Sequence, residues 1–213
     1  MLTATTISVA DEANDSRLRL VRSAARLVHA ESYHSVGVKA ICEAAGVQRG
    51  SFYHFFPSKT ALMLEAIEYA WKEFDRDGLD ACRDQSLTPR QRIEGLVAYL
   101  FECQHGDRSR TGNVPGCMFG NLAAEATASD DEIRLRLLSA FDDWATAIEA
   151  PLAEALSKGD ISIDRSPGDT AFAIVAELEG LITLAKVHND PDIIRSGGQH
   201  MVDRLWHARE TRP

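Results

Sequence analysis

Residues 36–59 carry the side chains in this sequence that are best suited to contacting a nucleic acid. A short helix predicted over about 48–56 follows a glycine, and its outward positions hold amide, guanidinium, hydroxyl and imidazole groups. These groups donate hydrogen bonds to phosphate oxygens and to base edges. Arg49 is the best base reader, because its planar fork matches the acceptors of guanine. The outward residues are Gln48, Arg49, Ser51, Tyr53 and His54.

Two lysines flank this segment. Lys39 is expected to reach neighbouring phosphates, and Lys59 opens the next helix, where an ammonium and free backbone amides together favour a phosphate. Any one of these polar residues taken alone is better explained as an ordinary solvated residue. Their spacing as a set favours a DNA-reading surface.

Two short helices joined by a glycine turn are needed to position these groups. Gly46 supplies the left-handed residue that ends the first helix, Pro57 breaks the second, and Ser58 can cap the helix that follows. Both helices need an apolar face. The predicted inward residues are Ala40, Ile41, Ala44 and Ala45 on the first helix, and Phe52, Phe55 and Phe56 on the second.

The run AAGVQRGSFYHFFPSKTALM, residues 44–63, resembles the signature of the TetR family of one-component transcriptional repressors. The resemblance implies a helix-turn-helix head, a larger helical body that binds a small molecule, and a dimer formed by the last two helices. The chain departs from the pattern at residues 36–38, which read Val-Gly-Val where many members carry Thr or Ser.

The charge distribution agrees with a DNA-binding head. The 213-residue chain has a net charge of -9, but residues 14–60 hold seven basic and three acidic residues, a net of +4, which leaves -13 for the remainder. An acidic body repels the duplex and helps to orient the basic end.

Composition narrows the class of protein further. With 45% hydrophobic and 26% charged residues, the chain is typical of a globular protein. No run reaches the roughly 18 apolar residues of a membrane span, and the N-terminus lacks the pattern of a signal peptide, so we expect a cytoplasmic protein with no membrane partner. The four cysteines show no metal-binding spacing, and neither a metal nor a cofactor is predicted.

Helix start signals predict an all-α fold of about nine helices. Residues 1–13 are expected to form a flexible arm, 14–58 the DNA-binding domain, and 59–213 the ligand-binding and dimerisation domain, with 59–77 as the connector helix. Capping residues predict further helices at about 88–105, 116–127, 129–157, 167–188 and 191–209.

A short recognition helix makes few base contacts, so two copies are needed to read a palindrome. The last two helices are the candidates for the dimer interface, although their apolar stripes must also close the core of the protomer. The predicted interface residues are Phe172, Val175, Leu178, Ile182, Ala185, Ile194, Met201, Leu205 and Trp206.

The body is expected to hold a small apolar or electrophilic inducer. Aromatic and polar residues on helices that should converge predict a conventional cavity. For each aromatic alone, core packing is the more common role, and Glu179 is either a ligand anchor or an exposed carboxylate. The predicted lining residues are Phe101, His105, Cys117, Met118, Phe119, Phe141, Trp144, Phe172 and Glu179.

Two segments, 103–125 and 177–191, resemble a TetR subgroup that includes an electrophile-sensing repressor. In that repressor the cysteine of a glycine-cysteine pair reacts and a lysine on the penultimate helix assists it, and Cys117 and Lys186 fall on those positions. A helix N-terminus and a nearby ammonium lower a thiol pKa. The alternatives are that Cys117 is a small buried apolar residue and Lys186 a surface residue.

The sequence therefore predicts a homodimeric repressor that binds a palindromic operator and is released by a small molecule. A thiol-based sensor that uses Cys117 is the alternative. An enzyme and a helical adaptor are the distant alternatives: no catalytic triad, phosphate loop or H-E-x-x-H motif occurs, and an adaptor leaves the basic head unexplained.

Overall fold

The computed structural model describes residues 9–126 and 130–207. Within these ranges the chain forms ten helices and no strand, which confirms the all-α prediction and adds one short helix to the nine expected. The helices are α1 Val9–Ala30, α2 Val38–Ala45, α3 Arg49–Phe55, α4 Lys59–Asp77, α5 Asp80–Arg83, α6 Pro89–Thr111, α7 Met118–Glu125, α8 Asp131–Lys158, α9 Pro167–His188 and α10 Asp192–His207.

Helices α1, α2 and α3 form the head. Gly46 adopts the left-handed conformation at φ 63°, and Val47 N–H bonds the Cys42 carbonyl at 2.9 Å, so the chain reverses tightly between α2 and α3. The predicted stripe on α2 is only half right. Ile41 and Ala45 are buried, but Ala40 and Ala44 are exposed and Cys42 is buried in their place.

Several helix boundaries differ from those predicted. Helix α1 begins at Val9 rather than near residue 14, and the rest of the predicted arm lies outside the described residues. Helix α6 extends to Thr111, past its predicted end near residue 105. Helix α8 begins at Asp131 with Asp130 at the N-cap position, and its predicted first residue, 129, is likewise outside the described part of the chain.

Local capping chemistry sets the starts of the longer helices as expected. Thr88 accepts a hydrogen bond from Gln91 N–H while the Gln91 side chain reaches back to the N-cap, which forms a complete capping box. Ser166 caps α9 through Asp169 N–H at 3.0 Å. Both helices have a proline in the first turn, where its missing N–H is not needed.

The body consists of α5–α10, and α4 packs on α1 of the head and on α5 and α8 of the body. The buried apolar residues of the body are continuous with those of the head. Arg92 is 2% exposed and ties three segments together. Its guanidinium pairs with Glu154 of α8 at 2.7 Å and donates to the carbonyls of Asp84 and Leu87 at 2.7 and 3.1 Å. A buried charge that is fully bonded in this way holds the α5–α6 turn against α8.

The apolar face predicted to form the dimer interface packs mainly inside the protomer, which corrects the sequence expectation. Leu205 and Trp206 are partly buried, Arg90 lies over the Trp206 ring at 6.0 Å, and only Phe172 is exposed. The side chains that are at most 3% exposed are Val175, Leu178, Ile182, Ala185, Ile194 and Met201.

Candidate nucleic-acid interface and ligand cavity

The polar face of α3 is positioned by the aromatic face beneath it. Phe52 and Phe56 are 0% and 1% exposed, with ring centroids 5.9 Å apart. Arg17 of α1 lies over the Phe56 ring at 5.0 Å, which adds a cation–π contact to the apolar packing. Because these rings are buried, the opposite side of a short helix must face outward.

The five predicted contact residues share that outward side. Tyr53 is 62% exposed, so its ring and hydroxyl are accessible to a partner. Ser51 is half-buried, and Gln48, Arg49 and His54 are exposed. The structure therefore brings the five side chains to one surface, while their contacts with DNA stay a prediction.

Helix α2 is braced against α1. Arg19 donates through Nε to the Ala45 carbonyl at 3.0 Å, so the last turn of α2 is held in place. Lys39 is exposed and lies 3.7 Å from Glu43 on the same helix. The N-cap residue of α2 is Gly37, which has no side chain to accept a hydrogen bond, so the cap that Thr or Ser would supply is missing.

The Lys59 side chain makes its contacts within the protein. Its ammonium donates to the Tyr33 carbonyl and lies 4.2 Å from the centroid of the Tyr33 ring. Burial lowers the pKa of Lys59, while the nearby Glu125 carboxylate acts in the opposite direction. The side chain thus secures the start of α4 to the α1–α2 loop, and its predicted phosphate contact stays untested.

A cavity of about 450 Å³ lies between the head and the body. Its walls come from α1, α4, α6 and α7, with single residues from α8 and α9. The lining is mostly apolar, with polar groups concentrated on α1 and α4. It consists of Arg22, Ala25, Arg26, His29, Tyr69, Ala70, Glu73, Phe74, Tyr99, Leu100, Cys103, Gln104, Gly116, Cys117, Met118, Phe119, Trp144 and Ile182.

Four predicted lining residues, Cys117, Met118, Phe119 and Trp144, do line this cavity. The others do not, which corrects the expectation. Phe101 and His105 stack on each other at 5.4 Å under Arg195 of α10. Phe172 points outward, Phe141 stacks behind Trp144 at 6.4 Å, and Glu179 reaches Cys117 from α9.

The Gly116–Cys117 turn is the best-bonded part of the cavity wall. The Gly116 carbonyl accepts from His29 Nε2 at 2.7 Å and from Gln104 Nε2 at 3.0 Å, and Gly116 N–H donates to Gln104 Oε1 at 3.0 Å. Gly116 has φ 87°, and the Lys186 stem lies against its Cα, so a side chain at position 116 would be strained and would clash. The turn thus connects α1 directly to α6.

The expected lowering of the Cys117 pKa is not found. Burial raises the pKa of this thiol well above its ordinary value, and the neighbouring Glu179 carboxylate raises it further by its charge and by accepting a hydrogen bond. The backbone N–H groups of Phe119 and Gly120 at the start of α7 lower the pKa, as a helix N-terminus should, but by less. A thiol in this setting is protonated at neutral pH.

The pKa of the Glu179 carboxyl is also shifted. Burial raises its pKa, and the hydrogen bond with Cys117 opposes that shift. Its Oε1 atom is buried without a hydrogen-bond partner among the described residues. Lys186 lies nearby, but its ammonium donates to Asn121 Oδ1 at 2.9 Å. The predicted Cys117–Lys186 pair is therefore close in space without a direct bond between the two groups.

Sequence reasoning missed the α1 side of the cavity. Arg22, Arg26 and His29, at spacings of four and three on α1, line the cavity, although the sequence analysis assigned none of them to a site. The spacing shows that they share a face. It does not show that the body packs against that face, because this contact is between residues far apart in the chain.

Comparison with known proteins identifies the fold and the head. The profile described as bacterial regulatory proteins of the tetR family matches residues 20–66, and the profile described as a tetracyclin repressor-like C-terminal domain matches residues 89–201. The chain belongs to the TetR family of DNA-binding transcriptional regulators, which are not enzymes. None of the helices in the described ranges is long and apolar enough to cross a membrane.

Individual relatives agree with this assignment. Transcriptional regulator AcuR of Cereibacter sphaeroides is 33% identical over 92% of this chain and 89% of its own. The transcriptional repressor NemR of Escherichia coli is 27% identical over 68% and 69% of the two chains. A crystal structure of a regulatory protein TetR from Rhodobacter sphaeroides superposes with a TM-score of 0.80 at 31% identity and covers 89% of this chain and 98% of that one.

Replacing Arg49 by alanine should weaken operator binding about tenfold to a hundredfold per subunit, because a bidentate guanidinium–base contact contributes about 1–3 kcal/mol. Fluorescence anisotropy with labelled duplex from upstream of the protein's own gene measures the affinity. Arg165→Ala is the control, since it removes the same charge from an exposed loop of the body. Equal affinities for the two variants would contradict the assignment of Arg49.

Proposed function

We propose that the chain is a cytoplasmic homodimeric repressor, with a DNA-binding domain over residues 14–58 and a ligand-binding and dimerisation domain over 59–213. Two copies of α3 read a palindromic operator, and a small molecule in the cavity releases the protein from DNA. The observation that carries this proposal is the position of the cavity, whose walls include α1 of the head as well as helices of the body.

Helix α7 supplies the physical link between the cavity and the head. Before its first turn, the Gly116 carbonyl accepts from His29 of α1. At its last residue, Glu125 accepts from the Ser32 hydroxyl at 3.0 Å and from His34 N–H at 3.4 Å. A ligand that displaces the Gly116–Cys117 turn therefore disturbs contacts at both ends of α7, and both sets of contacts belong to the head.

An apolar stripe on α9 supports the dimer. Val187 is 75% exposed, Phe172 58% and Leu184 49%, whereas soluble helices seldom leave so many large apolar side chains unpaired on one face. Small residues lie between them and allow a second helix to approach closely. The stripe comprises Phe172, Ala173, Ala176, Gly180, Thr183, Leu184 and Val187, all exposed.

Gly180→Arg should convert the dimer to a monomer, because it places a charged side chain at the centre of this stripe. Nothing lies within 4 Å of a Cβ at position 180, so the protomer itself can accommodate the change. Sedimentation velocity should show a monomer, and operator affinity should fall at least about a hundredfold because a lone head loses half of the contacts.

Gly106→Arg is a matched control for this experiment. Gly106 is also an exposed helical glycine with open space around its Cα, but it lies on α6. This variant should remain dimeric and bind the operator normally. A dimeric Gly180→Arg protein would exclude α9 as the dimer contact.

N-phenyl-1-naphthylamine, a neutral apolar fluorophore, can test release through the cavity. Its binding should lower operator affinity about tenfold. A ligand that breaks contacts between head and body favours the DNA-free state, and the coupling free energy between two such sites is typically about 1–3 kcal/mol. Ala70→Trp places an indole in the cavity from its α4 wall, so it should prevent both the binding of the probe and the loss of operator affinity. Ala153→Trp, at an exposed site on α8, should prevent neither. A probe that binds in the cavity without changing operator affinity would contradict the proposal.

A thiol sensor is the second candidate, and the position of Cys117 in the cavity wall and the resemblance of segments 103–125 and 177–191 to an electrophile-sensing repressor favour it. In this version an electrophile that enters the cavity adds to the Cys117 sulfur. The raised thiol pKa makes that addition slow at neutral pH, because little thiolate is present. The Glu179 carboxylate contributes to the slow rate, since it raises the thiol pKa. Alkylation of the sulfur would enlarge the side chain next to the Gly116 turn.

Glu179→Gln should speed the alkylation of Cys117 by N-ethylmaleimide severalfold at pH 8, because removing the neighbouring negative charge lowers the thiol pKa and increases the fraction of thiolate. Mass spectrometry of cysteine peptides follows the rate, with Cys103 as internal control because Glu179 does not influence its pKa. In the wild type the Cys117 rate should still increase above pH 9. Loss of operator binding on alkylation in the Cys117→Ser protein would eliminate Cys117 as the switch.

A further inference from the structure

We infer that the cavity binds a small organic acid, with an apolar body against the aromatic lining and its anionic group on the α1 wall. This inference rests on the proposed function and specifies the ligand class for the same site. It depends on which polar groups of the wall already have partners and which do not.

Most of the charge on the wall is neutralised internally. Arg22 lies over the Tyr69 ring at 5.6 Å, and the Tyr69 hydroxyl donates to Glu73. The Tyr69 side chain thus links the Arg22 guanidinium to the Glu73 carboxylate. His29 donates through Nε2 to the Gly116 carbonyl, so its side chain also has a partner.

Arg26 is the remaining charge. It lines the cavity and makes no hydrogen bond or ion pair with any residue in the described ranges. Glu73 is the one carboxylate among the described lining residues, and it is already bonded. The lining residues themselves thus carry two arginines against one carboxylate, and this net positive charge favours an anion over a cation.

A second donor on the same cavity also lacks a partner. Trp144 is 1% exposed, and its indole N–H is buried without a hydrogen-bond acceptor among the described residues. A buried donor left unpaired is costly, and most such donors in native proteins have a partner. Carboxylate oxygens are acceptors, so an organic acid can pair with the exposed guanidinium of Arg26 on the cavity wall and brings an acceptor into the cavity that holds the buried Trp144 N–H.

The rest of the wall selects for an apolar body. Phe74, Phe119 and Trp144 form an aromatic cluster, with the Phe74 centroid 5.0 Å from Trp144 and 6.4 Å from Phe119. Leu100 and Ile182 extend this surface. A volume of about 450 Å³ is within the range of sites that bind drug-sized small molecules. Inorganic anions would leave the aromatic surface unused.

Two fluorophores with one skeleton separate the effect of charge from that of apolar contact. The probes are 1-anilinonaphthalene-8-sulfonate, which is anionic, and N-phenyl-1-naphthylamine, which lacks the sulfonate. The wild type should bind the anion at least about tenfold more tightly. Arg26→Gln should remove that advantage and leave the neutral probe within about twofold, and Trp144→Phe should weaken the anion about threefold or more.

Arg108→Gln is the matched control, because Arg108 is an exposed arginine of α6 outside the cavity. It should change the affinity of neither probe, and Ala70→Trp should weaken both. Equal affinity of the two probes, or an anion affinity unaffected by Arg26→Gln, would overturn the inference. Release of operator by the neutral probe would in that case still support the proposed function, so the two failures are distinguishable.

Discussion

The backbone of Gly116 is the constraint on which the arrangement of head, cavity and body depends. Its carbonyl accepts from His29 of α1 and from Gln104 of α6, and its N–H donates back to Gln104. A buried peptide group must be bonded, so neither helix can move without leaving polar groups unpaired. The positive φ of Gly116 and the close Lys186 stem allow only glycine here without strain. The turn therefore fixes where α7 begins, and α7 in turn contacts the head at both ends.

The same turn places Cys117 where two opposing physical effects meet. The N-terminus of α7 offers backbone amides that stabilise a thiolate, and sequence reasoning correctly identified this feature. Burial and the Glu179 carboxylate both favour the protonated thiol, and together they outweigh the amides. The cavity thus combines a thiol that is largely protonated at neutral pH with an exposed guanidinium, that of Arg26, on α1. This combination is more consistent with reversible binding of an organic acid than with a highly reactive cysteine.

The head was predictable because its signals are local. Gly46, the phenylalanines of α3 and the Ser58 cap act within a few residues of one another, and the structure places them as expected. The stripe on α2 failed in detail because alanine is small enough to lie on either face, so Ala40 and Ala44 carried little information. The four-residue α5 was missed because a single turn between longer helices has almost no periodicity of its own.

Sequence alone determined the family, the helical class, the basic head and the residues on the outer face of α3, since each depends on short-range pattern or on composition. Only the tertiary structure decided which side of α9 is internal. That helix has apolar residues on both sides, and periodicity cannot tell the side that carries Leu178 from the side that carries Val187. Tertiary structure also brought Arg26 and Cys117 to one cavity, because contacts between residues about ninety positions apart depend on how whole helices pack and leave no local signal in the chain.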